Sequence, residues 1–183
     1  MMYWSFAVEM PWSLVYKVND MVIIRKIRGE LMRREEFMRI YELLDTVSPV
    51  PFDCGRICGE ECCNGGDEEI GIYLLPGEES VRAKEEWRMV EETEYGLFVK
   101  CKGPESCERS TRPMQCRTFP LFPKIDENGS VFLEPNDIDL PYVCPLIEDE
   151  ANLDHDFVDK TKEAWQELIN DPIIKKTVES WNE

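Results

Sequence analysis

The stretch Cys54-Gly-Arg-Ile-Cys58-Gly-Glu-Glu-Cys62-Cys63 places four thiols within ten residues. A metal site needs soft, deprotonated donors held close together, and short sequence separation keeps the loop-closure entropy small. Gly55 and Gly59 each follow a cysteine. Glycine adopts positive φ without steric cost, which lets the chain turn around an ion, and its bare N–H can hydrogen-bond a thiolate. Positions 54, 58 and 62 would share one face of a helix, but the two glycines speak against a continuous one. In an extended segment Cys62 and Cys63 point different ways. They serve one site only if the backbone turns there; otherwise each serves a different ion. The expected fold is therefore one small α+β domain. It combines short strands, irregular Cys-rich metal-bound loops in the middle and two C-terminal helices.

Working outward, the remaining cysteines are Cys101, Cys107, Cys116 and Cys144, so all eight fall between positions 54 and 144. Pro113 and Pro120 flank Cys116 and stiffen the backbone there, which pre-organises a ligand loop. Arg112 and Arg117 supply fixed cations that would lower a neighbouring thiol pKa and stabilise a thiolate group. The alternative for both arginines is a salt bridge to one of the many acids. Cys144, just before Pro145, reads as a remote ligand, with a buried free thiol as its alternative.

Cys54, Cys58, Cys62 and Cys63, followed by Arg112-Pro113-x-x-Cys116-Arg117-x-Phe119-Pro120, resemble the YkgJ-like cysteine-cluster family. The resemblance runs from about Phe52 to Cys144, and the Arg-Pro…Cys-Arg…Phe-Pro block adds a signature independent of the cysteines. This chain differs in having three residues, where the family motif has two, between the first cysteines. The family is described as a zinc- or iron-chelating domain, so the resemblance implies a bound metal. It brings no established reaction with it.

The chain has 183 residues, enough for one domain with an apolar core. Acidic side chains number 38 against 21 basic ones, a formal charge of −17, which argues against a nucleic-acid backbone as partner. A single histidine leaves little room for a His-rich metal site or a His-dependent triad. An even count of cysteines raises the alternative of a disulfide framework, which calls for export. The N-terminus has no basic residue before Lys17, an acid at Glu9 and Pro11 inside its apolar stretch. It lacks the form of a signal peptide, and no stretch approaches the ~20 apolar residues that span a bilayer. The expected compartment is the cytoplasm, without membrane association, where reduced cysteine clusters serve metal or redox chemistry.

Residues 1–31 show no clear period. Arg28-Gly29-Glu30 can be encoded as a purine-rich string resembling a bacterial ribosome-binding site just before Met32. The chain is therefore divided into an extra N-terminal segment, 1–31, and a single cysteine-cluster domain, 32–183. An ordinary N-terminal extension is the alternative.

Within 32–183, Phe37, Ile40, Tyr41 and Leu44 form one apolar helical stripe over residues 33–45. Residues 70–75 and 96–101 read as strands, and 131–133 as a third, preceded by a turn at Asp126-Glu127-Asn128-Gly129. Glu78-Glu79 would open a helix, where acids suit the dipole. A weak stripe of Ala83, Trp87 and Val90 follows. The Pro-rich segment 102–124 reads as ordered loop. Phe157, Thr161, Ala164, Trp165 and Leu168 mark a helix with Asp154 or Asp156 as N-cap. Asp171-Pro172 starts another. His155 reads as a solvated helix residue, and Asp137 with Asp139 as a polar loop.

Two arrangements account for eight thiols. Two closed Cys₄ zinc sites are one. In the other, four thiols hold an iron–sulfur cluster and the rest serve a second site or stay free. The C-x₂-C knuckles of zinc modules and the common ferredoxin spacings are both absent, so zinc and iron stand level. Three functional classes follow: a metal-binding module, an iron–sulfur redox enzyme or cluster-dependent transferase, and a metal carrier or storage protein. No Gly-rich phosphate loop, dinucleotide fingerprint or nucleophile elbow is present to name a reaction.

Overall fold

A computed structural model describes residues 32–52, 54–64, 71–81, 90–93, 95–101, 103–107, 109–136, 140, 142–148 and 152–181. The proposed extra segment 1–31, the stripe around Ala83 and Trp87, and the Asp137–Asp139 loop lie outside them.

Helix α1, Arg34–Asp45, buries the expected stripe of Phe37, Ile40, Tyr41 and Leu44. Its first turn is tied by the Glu36 carboxylate, which accepts the Arg33 N–H at 2.7 Å. Two one-turn helices follow, α2 at Gly55–Cys58 and α3 at Glu61–Asn64. Strands β1 (Gly71–Tyr73), β2 (Val90–Thr93) and β3 (Gly96–Lys100) form an antiparallel sheet in the order β1-β3-β2. Gly71 is required where β1 meets β3, since a Cβ there would stand 2.3 Å from the Val99 carbonyl oxygen.

The segment 102–124 is more regular than its prolines suggest. After 3₁₀ turns at Pro104–Ser106 and Arg109–Thr111 it forms helix α4, Met114–Thr118, and strand β4, Leu121–Ile125. Pro123 is tolerated in β4 because, among the described residues, that strand pairs with β5 (Val131–Pro135) alone, and its missing N–H falls on the edge away from β5. The turn between them is closed by Asp126, whose carboxylate accepts the N–H groups of Asn128 at 2.9 Å and Ser130 at 2.8 Å. Gly129 supplies the positive φ of 80°.

Helix α5 covers Pro145–Glu148, α6 His155–Leu168 and α7 Pro172–Ser180. Asp154 caps α6 through the Phe157 N–H at 3.1 Å, and Asp171 caps α7 through Ile173 and Ile174. The main core joins α1, α6 and α7 to the β4–β5 hairpin around Phe37, Tyr41, Phe157, Trp165 and Ile174. Leu74 and Val99 form a separate small core on the three-stranded sheet. This single small α+β domain has α4 at its junction, touching α1, β1 and β4. Among the described residues no helix is long and apolar enough to cross a membrane.

Glu78 lies at the centre of that junction. It opens a 3₁₀ turn, Glu78–Val81, as acids favour, yet it is fully buried. Its Oε1 accepts from the Tyr41 hydroxyl at 2.5 Å and the Met114 N–H at 2.7 Å, and its Oε2 from the Leu75 N–H at 2.8 Å. A helix side chain, a strand exit and the first residue of α4 are thus held by one carboxyl.

Candidate metal centre

The turn between α2 and α3 is built from two consecutive left-handed residues, Gly59 at φ 69° and Glu60 at φ 63°. Gly59 ends α2, as the glycine pattern requires, and its N–H returns to the Gly55 carbonyl. The chain therefore reverses after Cys58 and presents Cys62 to the same space as Cys54 and Cys58. Cys144, from the loop before α5, completes the wall of a cavity of about 30 Å³. Phe119, Tyr142 and Leu146 supply apolar lining. The rim carries two exposed apolar side chains, Ile57 at 43 % and Val143 at 70 %. Burial holds the Cys144 thiol above its usual range, with the Leu146 and Ile147 backbone N–H groups acting the other way; the Ile147 N–H donates to the Cys144 carbonyl at 3.1 Å.

Cys63 does not line this cavity. Burial first, then repulsion from Cys101, Cys63 and Cys107, holds the Cys116 thiol well above its usual range. Cys101, at the end of β3, is pushed up to about 11 by partial shielding and then by Cys63 and Cys107. The scaffold explains this meeting. Gln115 donates to the Tyr73 carbonyl at 2.9 Å, tying α4 to β1, and β1 pairs with β3 directly before Cys101.

The two neighbourhoods touch at the Cys62 and Cys63 sulfurs, 3.9 Å apart. Hydrogen bonding to Cys63, then burial, then the charges of Cys63, Cys54 and Cys116 push the Cys62 thiol far up. Tyr142 stands beside both groups, its phenol raised by burial and then by Cys62, Cys116, Cys144 and Cys63. Thiols that raise one another in this way repel as thiolates, and a dication among them reverses that balance.

All eight cysteines are free thiols. Among the described residues, which include all eight cysteines, no group of three or more Cys, His, Asp or Glu side chains is placed so that it could hold a metal ion. The cysteines that line the cavity are nevertheless metal-ligand donors by type. Sulfur is the ligand of zinc and of iron–sulfur centres.

Arg117 forms the salt bridge that stood as its alternative. Its side chain is 2 % exposed and pairs with Asp45. It also donates to the Arg112 carbonyl at 2.8 Å and stacks on the Tyr41 ring at 4.0 Å. Arg112, half-buried, contributes that carbonyl and lies in the same cationic group. Arg109 is held below its usual range by burial first and then by Arg112 and Arg117, with Asp45 and the Cys54 thiol acting the other way. It donates to the carbonyls of Leu44, in the last turn of α1, and of Val47 just beyond it. Sequence reasoning passed over it, although it sits two residues after Cys107. Tyr142, two residues before Cys144, was likewise missed. Glu78 was read only as a helix-opening acid, because nothing in its surroundings in sequence announces burial. His155 is exposed at the start of α6, as a solvated residue should be.

No protein-family model, curated protein or solved structure matches the chain.

Proposed function

We propose that this chain binds zinc or iron, the latter as an iron–sulfur cluster or as iron alone, through clustered cysteine thiolates. The observation that carries the reading is the convergence of Cys54, Cys58, Cys62 and Cys144, 82 residues removed from Cys62, on one cavity. The resemblance of the cysteine and Arg-Pro…Cys-Arg…Phe-Pro pattern to the YkgJ-like family supports the same chemistry. A reducing compartment such as the cytoplasm keeps these thiols available as ligands. Each coordinating thiol gives up its proton, and binding draws the sulfurs together by rotamer changes within the α2–α3 turn and the Cys144 loop.

Anaerobic purification followed by metal analysis, acid-labile sulfide determination and an absorption spectrum tests the reading. Colourless protein with stoichiometric zinc identifies zinc sites; brown protein with labile sulfide identifies a cluster. Protein that takes up neither zinc nor iron under reducing conditions refutes the proposal.

A further inference from the structure

We infer that Cys62 and Cys63 are a vicinal dithiol site for thiol–disulfide exchange, closing into one reversible disulfide when a small-molecule disulfide oxidises them. The exchange needs no bound ion, so it stands beside the metal-binding reading and goes beyond it.

The first argument is proximity. The two sulfurs lie 3.9 Å apart, in non-bonded contact, and a bond of ~2.05 Å asks them to approach by about 2 Å. The residues are consecutive, so no loop has to be closed before the sulfurs meet. The second argument is access. Both thiols are half-buried, and Cys62 lines a cavity whose rim carries the exposed side chains of Ile57 and Val143.

The third argument is the backbone. Consecutive side chains of a helix diverge by about 100° around its axis, so the tight ring of a Cys62–Cys63 disulfide forms only as α3 opens. Little holds α3 closed. It is a single turn, Glu61–Asn64, and a turn that short has no cooperative helix behind it. It is entered from Glu60, a non-glycine residue in the left-handed region at φ 63°. Opening breaks the bond from the Cys63 N–H to the Glu60 carbonyl, 2.7 Å long, and frees Glu60 from that conformation. Consecutive Cα atoms stand ~3.8 Å apart, below the ~4.4–6.8 Å of ordinary disulfides, so the closed ring is strained and readily reduced. Strained bonds of this kind are the labile, regulatory ones.

The exchange balances in two steps. One thiolate of the pair attacks the small disulfide RSSR, forming a mixed disulfide and releasing RS⁻. The neighbouring thiolate then attacks the bonded cysteine sulfur, closing the Cys62–Cys63 bond and releasing the second RS⁻. The pair gives up two protons and two electrons, and RSSR becomes two RSH. One consequence rests on the metal-binding reading: Cys62 lines the cavity and Cys63 does not, so closure takes one of four thiols away from an ion there.

The reduced, metal-free full chain, equilibrated with rising ratios of glutathione disulfide to glutathione, alkylated and mapped by tandem mass spectrometry, tests the exchange. Cys62 and Cys63 should lose their two alkylatable thiols together, before any other pair, and dithiothreitol should restore both. The proposal is overturned if both stay alkylatable at every ratio, if other cysteines pair first, or if either residue bonds elsewhere. Zinc is then offered to the reduced chain and to the chain oxidised at this pair. Uptake by the reduced chain alone supports redox control of the cavity, and equal uptake by both overturns that control. Uptake by neither refutes metal binding, and the control with it, while the mapped disulfide stands.

Discussion

The Tyr41 hydroxyl donates to Glu78 Oε1 at 2.5 Å, joining α1 to the exit of β1 across 37 residues of chain. With the Leu75 and Met114 N–H groups on the same carboxyl, Glu78 satisfies three buried donors. Glu78→Ala should leave all three without their partner. At ~1–3 kcal/mol for each unsatisfied buried group, partly relieved by water entry, the expected loss is about 3 kcal/mol or more. Urea denaturation measures it.

The same residue carries a pH signature. Burial outweighs its hydrogen bonds and holds its carboxyl above the ordinary value of 4.5. A folded pKa above the unfolded one means that the folded state retains the proton longer. Its contribution is full below pH 4.5 and is lost as pH rises through the raised folded value. Glu78→Gln, neutral at every pH, lacks this slope. The wild-type stability minus that of Glu78→Gln should fall as pH rises above 4.5; a flat difference would show that burial does not dominate.

Arg117 is held by Asp45, by the Arg112 carbonyl and by the Tyr41 ring. Removing one partner of a buried pair costs ~3–5 kcal/mol, and Asp45 is 40 % exposed, so Asp45→Asn should cost only about 1 kcal/mol. Arg117→Met removes all three contacts and should cost about 2–4 kcal/mol. Arg117→Lys should not recover wild-type stability, because an ammonium lacks the planar fork that both stacks and donates sideways. A lysine variant with an unchanged denaturation midpoint would contradict this role.

Two glycines should respond differently to alanine. At Gly59 an added Cβ meets nothing within 4 Å, so Gly59→Ala bears only the left-handed backbone cost of about 1 kcal/mol. At Gly71 the Cβ would press on the Val99 backbone oxygen, and the β1–β3 pairing must shift, for about 2 kcal/mol or more. Urea denaturation of the two variants reads the difference.

Metal should stabilise the fold by mass action. At free zinc about a thousandfold above its dissociation constant, one site adds about 4 kcal/mol. For a domain of this size that raises the melting temperature by roughly 10 °C, at ~2–4 °C per kcal/mol. Calorimetry before and after chelation under reducing conditions checks it; coincident melting curves would mean that the ion does not support the fold.

The terminal elements were legible because their signals are local. The stripe Phe37–Leu44, the capped helices after Asp154 and Asp171, and the Asp126–Gly129 turn each depend on residues within one or two turns of chain. The segment around α4 and β4 was not. Its prolines argue for a loop until one knows that, among the described residues, β4 has a single partner and that the missing N–H of Pro123 falls on the edge away from it. The break at Gly59 was legible too, but the left-handed Glu60 beside it was not, since a glutamate carries no preference for that conformation.

By itself the sequence determined which donors exist, that four of them lie within ten residues, and that glycine must turn the chain between them. Donor chemistry and short-range geometry are written in residue identity and spacing. Only the tertiary structure decided that Cys144 lines the same cavity as the first cluster, that the Cys62 and Cys63 sulfurs lie 3.9 Å apart, and that Arg117 pairs with Asp45. The first and last of these relations depend on how α4 packs between α1 and the β1–β3 sheet, and packing between segments 40 to 80 residues apart leaves no periodic trace in the chain.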